Sequence, residues 1–214
     1  IQRSSAELDR LSGAIAKVGH YASGMVAAAG VASMVRGYID AADAVATLQN
    51  QLKLATGSAQ QAAQSYAALY DIAQRSRVSF TELGGTYASI ARYAGDMGVS
   101  QQRMLAVTES IANAMTVSGG SAASMQAALV QLSQGMASGV LRGEELNSVM
   151  EQTPRLAKAI ADGLGVPIGK LRELGAEGKL SAEAVVAALE SQSAVLQKEV
   201  AGAVMTVGQA FTQL

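Results

Sequence analysis

The sequence contains no cysteine, no tryptophan and a single histidine, His20. Without cysteine the chain can form neither a disulfide nor a thiol-based active site, and one histidine does not make a histidine metal site. A metal would need carboxylate ligands alone, so we predict no metal, no cofactor and a solvated side chain for His20. The absence of cysteine is compatible with every redox compartment and does not indicate where the protein works.

An excess of charge of either sign is also lacking. The chain has 16 basic and 17 acidic residues, a formal net charge of -1, and therefore no overall field that attracts nucleic acid or an anionic membrane. The most apolar stretch, residues 21–35, is fifteen residues long, whereas a membrane-spanning helix needs about 20. We therefore expect no stable membrane span.

Aromatic residues make up only 4% of the chain, although half of its residues are hydrophobic. About a fifth of the residues are alanine, which has the best intrinsic helix propensity. Valine and isoleucine recur at helical spacing rather than in the alternating pattern of strands. These features predict an all-α protein, in which a compact multi-helix domain of short helices is flanked by two long helices.

We predict three parts along the chain: a long helical, coiled-coil-like segment over residues 1–55, the compact domain over 56–190, and the start of a long C-terminal helix over 191–214. In the first part, apolar residues alternate at spacings of three and four, which is typical of a coiled-coil seam. The seam would bury itself by self-association, so we expect a homo-oligomer. Its candidate residues are Leu8, Leu11, Ile15, Val18 and Met25.

Helix starts and stops are clearly marked in the compact domain. Thr56 and Gly57 are typical of a helix end, and a capping box formed by Ser79 and Glu82 predicts a helix that runs to Gly98. Further helices are expected to begin after Ser58, after Ser100, at Pro154 and at Ser181, and a break is expected at residues 118–120. No stop signal follows Ser181, which predicts one long helix leaving the domain.

The first residue is Ile1, and Leu214 lies inside an unfinished helical pattern. We therefore expect this chain to be part of a longer one.

Two long stretches carry a family resemblance. They are GVLRGEELNSVMEQTPRLAKAIADGLGV over residues 139–166 and GKLRELGAEGKLSAEAVVAAL over residues 169–189. Together with LATGS, TYASIARYAGDMGVS and QLSQGMASG upstream, in the same order, they resemble the N-terminal domain of phage tail tape measure proteins. The resemblance covers about residues 40–190.

The resemblance implies a structural virion component that lies in the lumen of a phage tail, sets the length of the tail and is released when DNA is ejected. It also implies tail tube protein, tail assembly chaperones and tail tip or baseplate proteins as partners. Before assembly the protein would be in the host bacterial cytoplasm. A helical chain suits a ruler, because a helix advances about 1.5 Å per residue.

The family signature supplies candidate interaction residues but implies no catalytic role for them. Adjacent glutamates point to different faces of a helix, so we interpret Glu144 and Glu145 as a charged first turn rather than as an acid/base pair. We predict no enzyme activity. The candidate signature residues are Arg142, Gly143, Glu145, Leu146, Asn147 and Pro154.

Two alternative functions within the same tail protein remain. Glu109 and Ser110 faintly resemble the Glu-Ser pair of lytic transglycosylases, which would make this a cell-wall-degrading module, but we interpret Glu109 as a surface side chain. Insertion of residues 21–39 at ejection would make it a membrane-interacting module.

Small or basic clusters also allow two interpretations each. Gly135, Gly139 and Gly143, four residues apart, predict either a ridge of close helix packing or a loop and helix end. Contact with DNA is considered but not predicted, because the chain has neither net positive charge nor interleaved aromatic residues. The arginines that raise the question, and that we interpret as a solvated face, are Arg75, Arg77, Arg92 and Arg103.

Overall fold

A computed structural model describes residues 25–95, 98–119 and 122–204, without the side chains of residues 25–36, 38, 122 and 123. All regular elements of these residues are helical, apart from one isolated bridge between Val140 and Ser181. The all-α prediction is confirmed. The α-helices are α1 (Met25–Thr56), α2 (Ala59–Ser76), α3 (Phe80–Ala91), α4 (Gln101–Ser118), α5 (Ala122–Ala137), α6 (Gly143–Gln152), α7 (Pro154–Gly163), α8 (Leu171–Ala176), α9 (Ala182–Ser191) and α10 (Ser193–Gly202), with a 3-10 turn at Ile168–Lys170 before α8.

The chain divides into two units, Ile1–Ala46 and Thr47–Leu214. Of the first unit, residues 25–46 are described, and all are helical. Met25 begins α1, but its side chain is not described, and the predicted self-association seam stays a prediction. Its other residues, Leu8, Leu11, Ile15 and Val18, and His20 lie outside the described residues.

Serine side chains begin helices of the second unit as predicted. The Ser58 hydroxyl accepts a hydrogen bond from the backbone N–H of Gln61 at 3.1 Å, and Ser181 accepts one from Ala184 at 3.2 Å. Ser79 and Ser100 cap α3 and α4 in the same way. Each cap satisfies one of the N–H groups that a helix N-terminus leaves without an internal partner.

The second unit is built around α4. This helix packs against α2, α3, α7, α9 and α10. Its apolar face, formed by Met104, Val107, Ile111 and Met115, is buried, and so are several polar residues on its other sides. The buried residues of α4 are Met104, Val107, Thr108, Ser110, Ile111, Ala112, Asn113, Ala114, Met115 and Thr116.

The buried polar groups of α4 all have partners. Asn113 Oδ1 accepts a hydrogen bond from the Ser76 hydroxyl at 2.7 Å, and the Thr116 hydroxyl donates to the Ser76 carbonyl at 2.5 Å. Thr108 and Ser110 donate to backbone carbonyls one turn earlier on α4. Because an unpaired buried polar group costs about 1–3 kcal/mol, these bonds allow a partly polar helix to lie inside the core.

The prediction that the helix after Ser79 runs to Gly98 is wrong. The helix α3 ends at Ala91, and the backbone N–H groups of Tyr93 and Ala94 bond three residues back rather than four. Gly95 follows, and Val99 donates to the Ala94 carbonyl at 2.9 Å, which turns the chain toward Ser100. This turn buries both Ala94 and Val99, which a continued helix would separate.

The single long helix predicted from Ser181 is instead two helices, α9 and α10, separated at Gln192. Both pack against α4, and the break allows each to bury its own apolar face there. Leu196 and Val200 of α10 are 0% and 5% exposed, so the described part of the helix does not leave the unit. The division at residues 55 and 190 stays a prediction.

Helices α7 and α9 approach most closely at Gly163. A Cβ atom built on Gly163 would overlap the backbone carbonyl of Ala188, which cannot move aside as the end of a side chain can. Gly169, in the 3-10 turn, has no atom within 4 Å of the same position. Close helix packing therefore requires a glycine at residue 163, whereas no neighbouring atom requires one at residue 169.

We predict that Gly163→Ala lowers the free energy of unfolding by about 1–3 kcal/mol, because α7 and α9 must separate to admit the methyl group. Gly169→Ala, the matched control, should leave stability unchanged or raise it by up to about 1 kcal/mol, since alanine restricts the unfolded chain. Urea denaturation followed by circular dichroism measures both. Equal stability of the two variants would contradict the close approach.

An ion pair and a few apolar contacts hold α10. Arg155 Nε donates to Glu199 Oε2 at 2.6 Å and Nη2 donates to Oε1 at 3.0 Å, while Arg77 Nη1 donates to the Ala203 carbonyl at 2.8 Å. The Arg155 side chain is only 13% exposed. A guanidinium at such a depth depends on its carboxylate partner, because water replaces the partner poorly.

We predict that Glu199→Gln destabilises the protein by about 1–3 kcal/mol, because it removes the negative charge from a partly buried pair. Glu173→Gln is the matched control, since Glu173 pairs with Lys170 at a site where both side chains are 56% exposed, and should have no measurable effect. Thermal melting at low and high salt distinguishes them. A Glu199→Gln melting temperature equal to that of the control would show that the pair does not hold α10.

Candidate interaction surface at the signature segment

Residues 139–189, which contain the two long stretches of the family resemblance, are called the signature segment below. They form α6, α7, the 3-10 turn, α8 and most of α9. Pro154 is the first residue of α7, as predicted. Glu144 and Glu145 lie in the first turn of α6, which confirms the interpretation of a charged helix start.

Both ends of α6–α8 are joined by backbone hydrogen bonds. Leu141 donates to the Leu180 carbonyl at 2.8 Å, and Ala182 donates to the Gly139 carbonyl at 2.9 Å. These bonds surround the bridge between Val140 and Ser181. The chain entering α6 thus lies beside the chain entering α9, so α6, α7 and α8 begin and end at the same bridge.

Two glycines leave room for the side chains of two buried leucines at the start of α6. A Cβ on Gly135 would lie 2.6 Å from Leu141 Cδ1, and one on Gly175 would lie 2.7 Å from Leu146 Cδ2. Leu141 and Leu146 are 0% and 2% exposed. Gly135 therefore serves close packing, one of the two interpretations of the glycine series.

The other two glycines of the series serve turns. Gly139 and Gly143 have φ angles of 83° and 55°, a region that residues with a Cβ adopt at a cost of about 1–2 kcal/mol. Gly139 ends the turn after α5, and Gly143 begins α6. Both interpretations of the series thus apply, at different residues.

The remaining candidate residues have separate environments. Asn147 Oδ1 accepts a hydrogen bond from Arg172 Nε at 3.1 Å, which links α6 to α8. Glu145 is half-buried, whereas Arg142 is exposed and its side chain does not cap α6. The structure therefore does not gather the six predicted residues around one point, and their use as an interaction surface stays a prediction.

The turn between α8 and α9 carries two opposite charges that pair with each other. Lys179 Nζ lies 2.7 Å from Glu177 Oε2. This hydrogen bond lowers the pKa of the Glu177 carboxyl and raises that of the Lys179 ammonium. Both groups therefore stay charged at neutral pH, and their charges cancel at this turn.

Sequence reasoning missed a groove of about 190 Å³ beside the bridge. Its walls come from three stretches that carry the family resemblance: Tyr93 after α3, Met136 and Gly139 at the end of α5, and Ser181 and Glu183 at the start of α9. The pairing of residues 139–141 with 180–182 brings the second and third of these stretches together. No local signal in the sequence predicts that pairing.

A second, more apolar groove of about 280 Å³ lies between the end of α1 and the start of α2. Leu52, Ala62 and Tyr66 line it, with Lys53 at its edge. Neither groove has the convergent titratable groups of an active site. Among the residues that the structure describes, no group of three histidine, cysteine, aspartate or glutamate side chains could hold a metal.

The carboxylate considered for catalysis is engaged. Nε and Nη2 of Arg75 both donate to Oε1 of Glu109, at 3.2 and 3.1 Å, and join α2 to α4. The Glu109 side chain is 14% exposed. It is therefore not the surface glutamate we expected, because the packing of α2 on α4 covers it.

The arginines considered for DNA contact each have a separate partner. Arg103 forms a two-bond ion pair with Glu190, Arg77 binds the Ala203 carbonyl, and Arg92 Nε donates to the Ala88 carbonyl. Arg75 binds Glu109. Each of the four arginine side chains thus binds a partner within the second unit. In the described part of the chain, no helix combines the length and the apolar character that a bilayer span requires.

A family model described as tape measure protein matches residues 36–214. The chain belongs to the tape measure protein family. The match confirms the resemblance noted above. No curated protein matches the chain, and no solved structure matches it.

Membership of this family assigns a structural role in the phage tail, and with it an association with the virion and with tail-assembly partners. The tape measure family is a structural rather than an enzyme family. In this chain the signature segment contains close packing contacts, of Leu141 with Gly135 just before the segment and of Leu146 with Gly175, together with the bonds around the bridge.

We predict that Leu146→Asp abolishes the cooperative unfolding transition, because a carboxylate at this buried position has no partner and leaves the space beside Gly175 unfilled. The loss should exceed about 4 kcal/mol. Leu54→Asp, at a residue that is 80% exposed, is the control and should melt like the unmodified chain. A normal transition for Leu146→Asp in differential scanning calorimetry would contradict the placement of the signature in the core.

Proposed function

We propose that this chain is the part of a tape measure protein that lies in the tail lumen, where the full-length protein sets the length of the tail and is released at DNA ejection. The observation that carries the proposal is the family match over residues 36–214. In this role the protein acts by packing and by length, without chemistry on a substrate.

The compact unit supports such a role physically. Its core is continuous from Leu48 of α1 to Leu196 of α10, and its charged side chains are mostly engaged within the unit. A unit of this kind keeps its shape while neighbouring proteins assemble around it, because one continuous core joins its helices. We propose tail tube protein and tail tip or baseplate proteins as its neighbours in the virion.

Before assembly, we propose that the protein is held in the host bacterial cytoplasm by tail assembly chaperones. Self-association through the seam at residues 8–25 stays a prediction, as does membrane insertion of residues 21–39 at ejection. Co-sedimentation of the chain with liposomes tests the insertion: a chain that stays in the supernatant would exclude it. The cell-wall-degrading alternative has no support from the geometry, because Glu109 is paired with Arg75.

We predict that tail length follows the length of the full-length protein. Inserting about 28 helix-forming residues in a helical segment outside residues 47–204 should lengthen the tail by about 42 Å, at about 1.5 Å per residue. Electron microscopy of negatively stained virions measures the tails. A phage carrying Leu54→Ser in the same protein is the control and should have tails of the original length.

Assembled tails of unchanged length in the insertion phage would overturn the ruler role. A shortfall in the number of assembled tails, with the lengthening present in those that form, would still support it.

A further inference from the structure

The outward face of α5 is unlike that of the other helices that the structure describes. The sequence from residue 110 to residue 141 contains no charged residue, so α5 has none, whereas each of the other nine α-helices that the structure describes contains at least one. Helices with one face on a core normally carry charged residues on the face toward water. Over residues 124–137, where the side chains of α5 are described, the exposed residues are Gln126, Ala127, Val130 and Gln134.

This face is not part of the core of its own unit. The opposite side of α5 packs inward through Leu129, Leu132 and Met136, which are 7%, 0% and 1% exposed. Val130, by contrast, is 48% exposed. The Val130 side chain, with the neutral amides of Gln126 and Gln134 on either side, therefore faces outward from a unit whose other helices carry charged residues.

We propose that this face, the α5 face, binds the same face of a second copy of the chain. Gln126 and Gln134 lie four residues before and after Val130, so they share one ridge of the helix with it. In a two-fold antiparallel contact centred on Val130, each Gln126 lies opposite Gln134 of the other copy. The contact then places Val130 against Val130 between two such amide pairs.

The residue types fit a self-contact better than a contact with a charged partner. A two-fold interface brings the same patch of both copies together, so charged residues of one sign on it would meet their own kind. An amide side chain has both donors and an acceptor, and can therefore pair with a second amide. The neutral face avoids repulsion and still supplies hydrogen bonds.

The size of the face indicates how tightly it binds. A stable interface buries about 800 Å² on each partner, which four residues of one helix do not provide. Pairing through the α5 face is therefore weak for free chains and becomes effective when copies are held close together. The inference concerns residues other than the predicted seam at 8–25, and it does not depend on the ruler role.

Disulfide trapping tests the proposal directly, because the chain has no cysteine of its own. Val130→Cys places one thiol at the centre of the proposed contact. Val195→Cys, on α10, is a matched control, since the two valines are 48% and 46% exposed. We expect Val130→Cys to form covalent dimers at least about tenfold faster than Val195→Cys under the same mild oxidant. Equal rates would overturn the proposal, whether or not the chains associate elsewhere.

Charge exchange tests the antiparallel arrangement. In the Val130→Cys chain, Gln126→Glu with Gln134→Glu should slow dimer formation about tenfold, and Gln126→Lys with Gln134→Lys should do the same, because like charges then face each other. Mixing the acidic and basic chains should restore the rate and yield the mixed dimer. A mixed dimer that forms no faster than the acidic or basic homodimer would overturn the arrangement. Circular dichroism of each variant verifies that it is folded.

Discussion

The burial of α4 on every side over residues 110–116 is the constraint on which the rest of the second unit depends. A helix that is surrounded on all sides needs neighbours around its whole circumference, and five helices supply them. It also needs a partner for each polar group that it carries inward. Ser76 provides this for both Asn113 and Thr116, which holds the end of α2 against the last turns of α4. The positions of the outer helices follow from the need to cover one central helix.

The outer helices differ from α4, since each buries only one face. The break between α9 and α10 follows from this division, because a straight helix could keep only one of its halves against α4. Leu196 and Val200 are buried, and the Arg155–Glu199 pair and the bond from Arg77 to Ala203 also contribute to holding α10. The lack of charge on α5 departs from the same pattern, since its outer face has the composition of a surface that is covered.

Local signals in the sequence predicted much of this fold. The serine caps, Pro154 at the start of α7 and the glycine ends at Gly57 and Gly119 depend on residues within one turn of each other, and all are present. The features that were missed depend on distant residues. The end of α3 at Ala91 follows from burying Ala94 and Val99, the break at Gln192 from the position of α4, and the groove at Tyr93 from the pairing of Gly139 with Ala182. Hydrophobic periodicity contains no information on such pairings.

The enclosed residues of the signature segment differ from the residues that can contact other proteins of a tail. Leu141, Leu146 and Gly175 lie in the signature segment and Gly135 lies just before it, and these residues pack against one another inside the unit. A side chain that is enclosed cannot contact a tube subunit, a chaperone or a second copy without unfolding. The contacts that perform the structural role must therefore involve outward faces, which the signature leaves largely unspecified. A neutral, exposed helix face such as that of α5 is the kind of feature that physical reasoning can find there and that a family motif does not reveal.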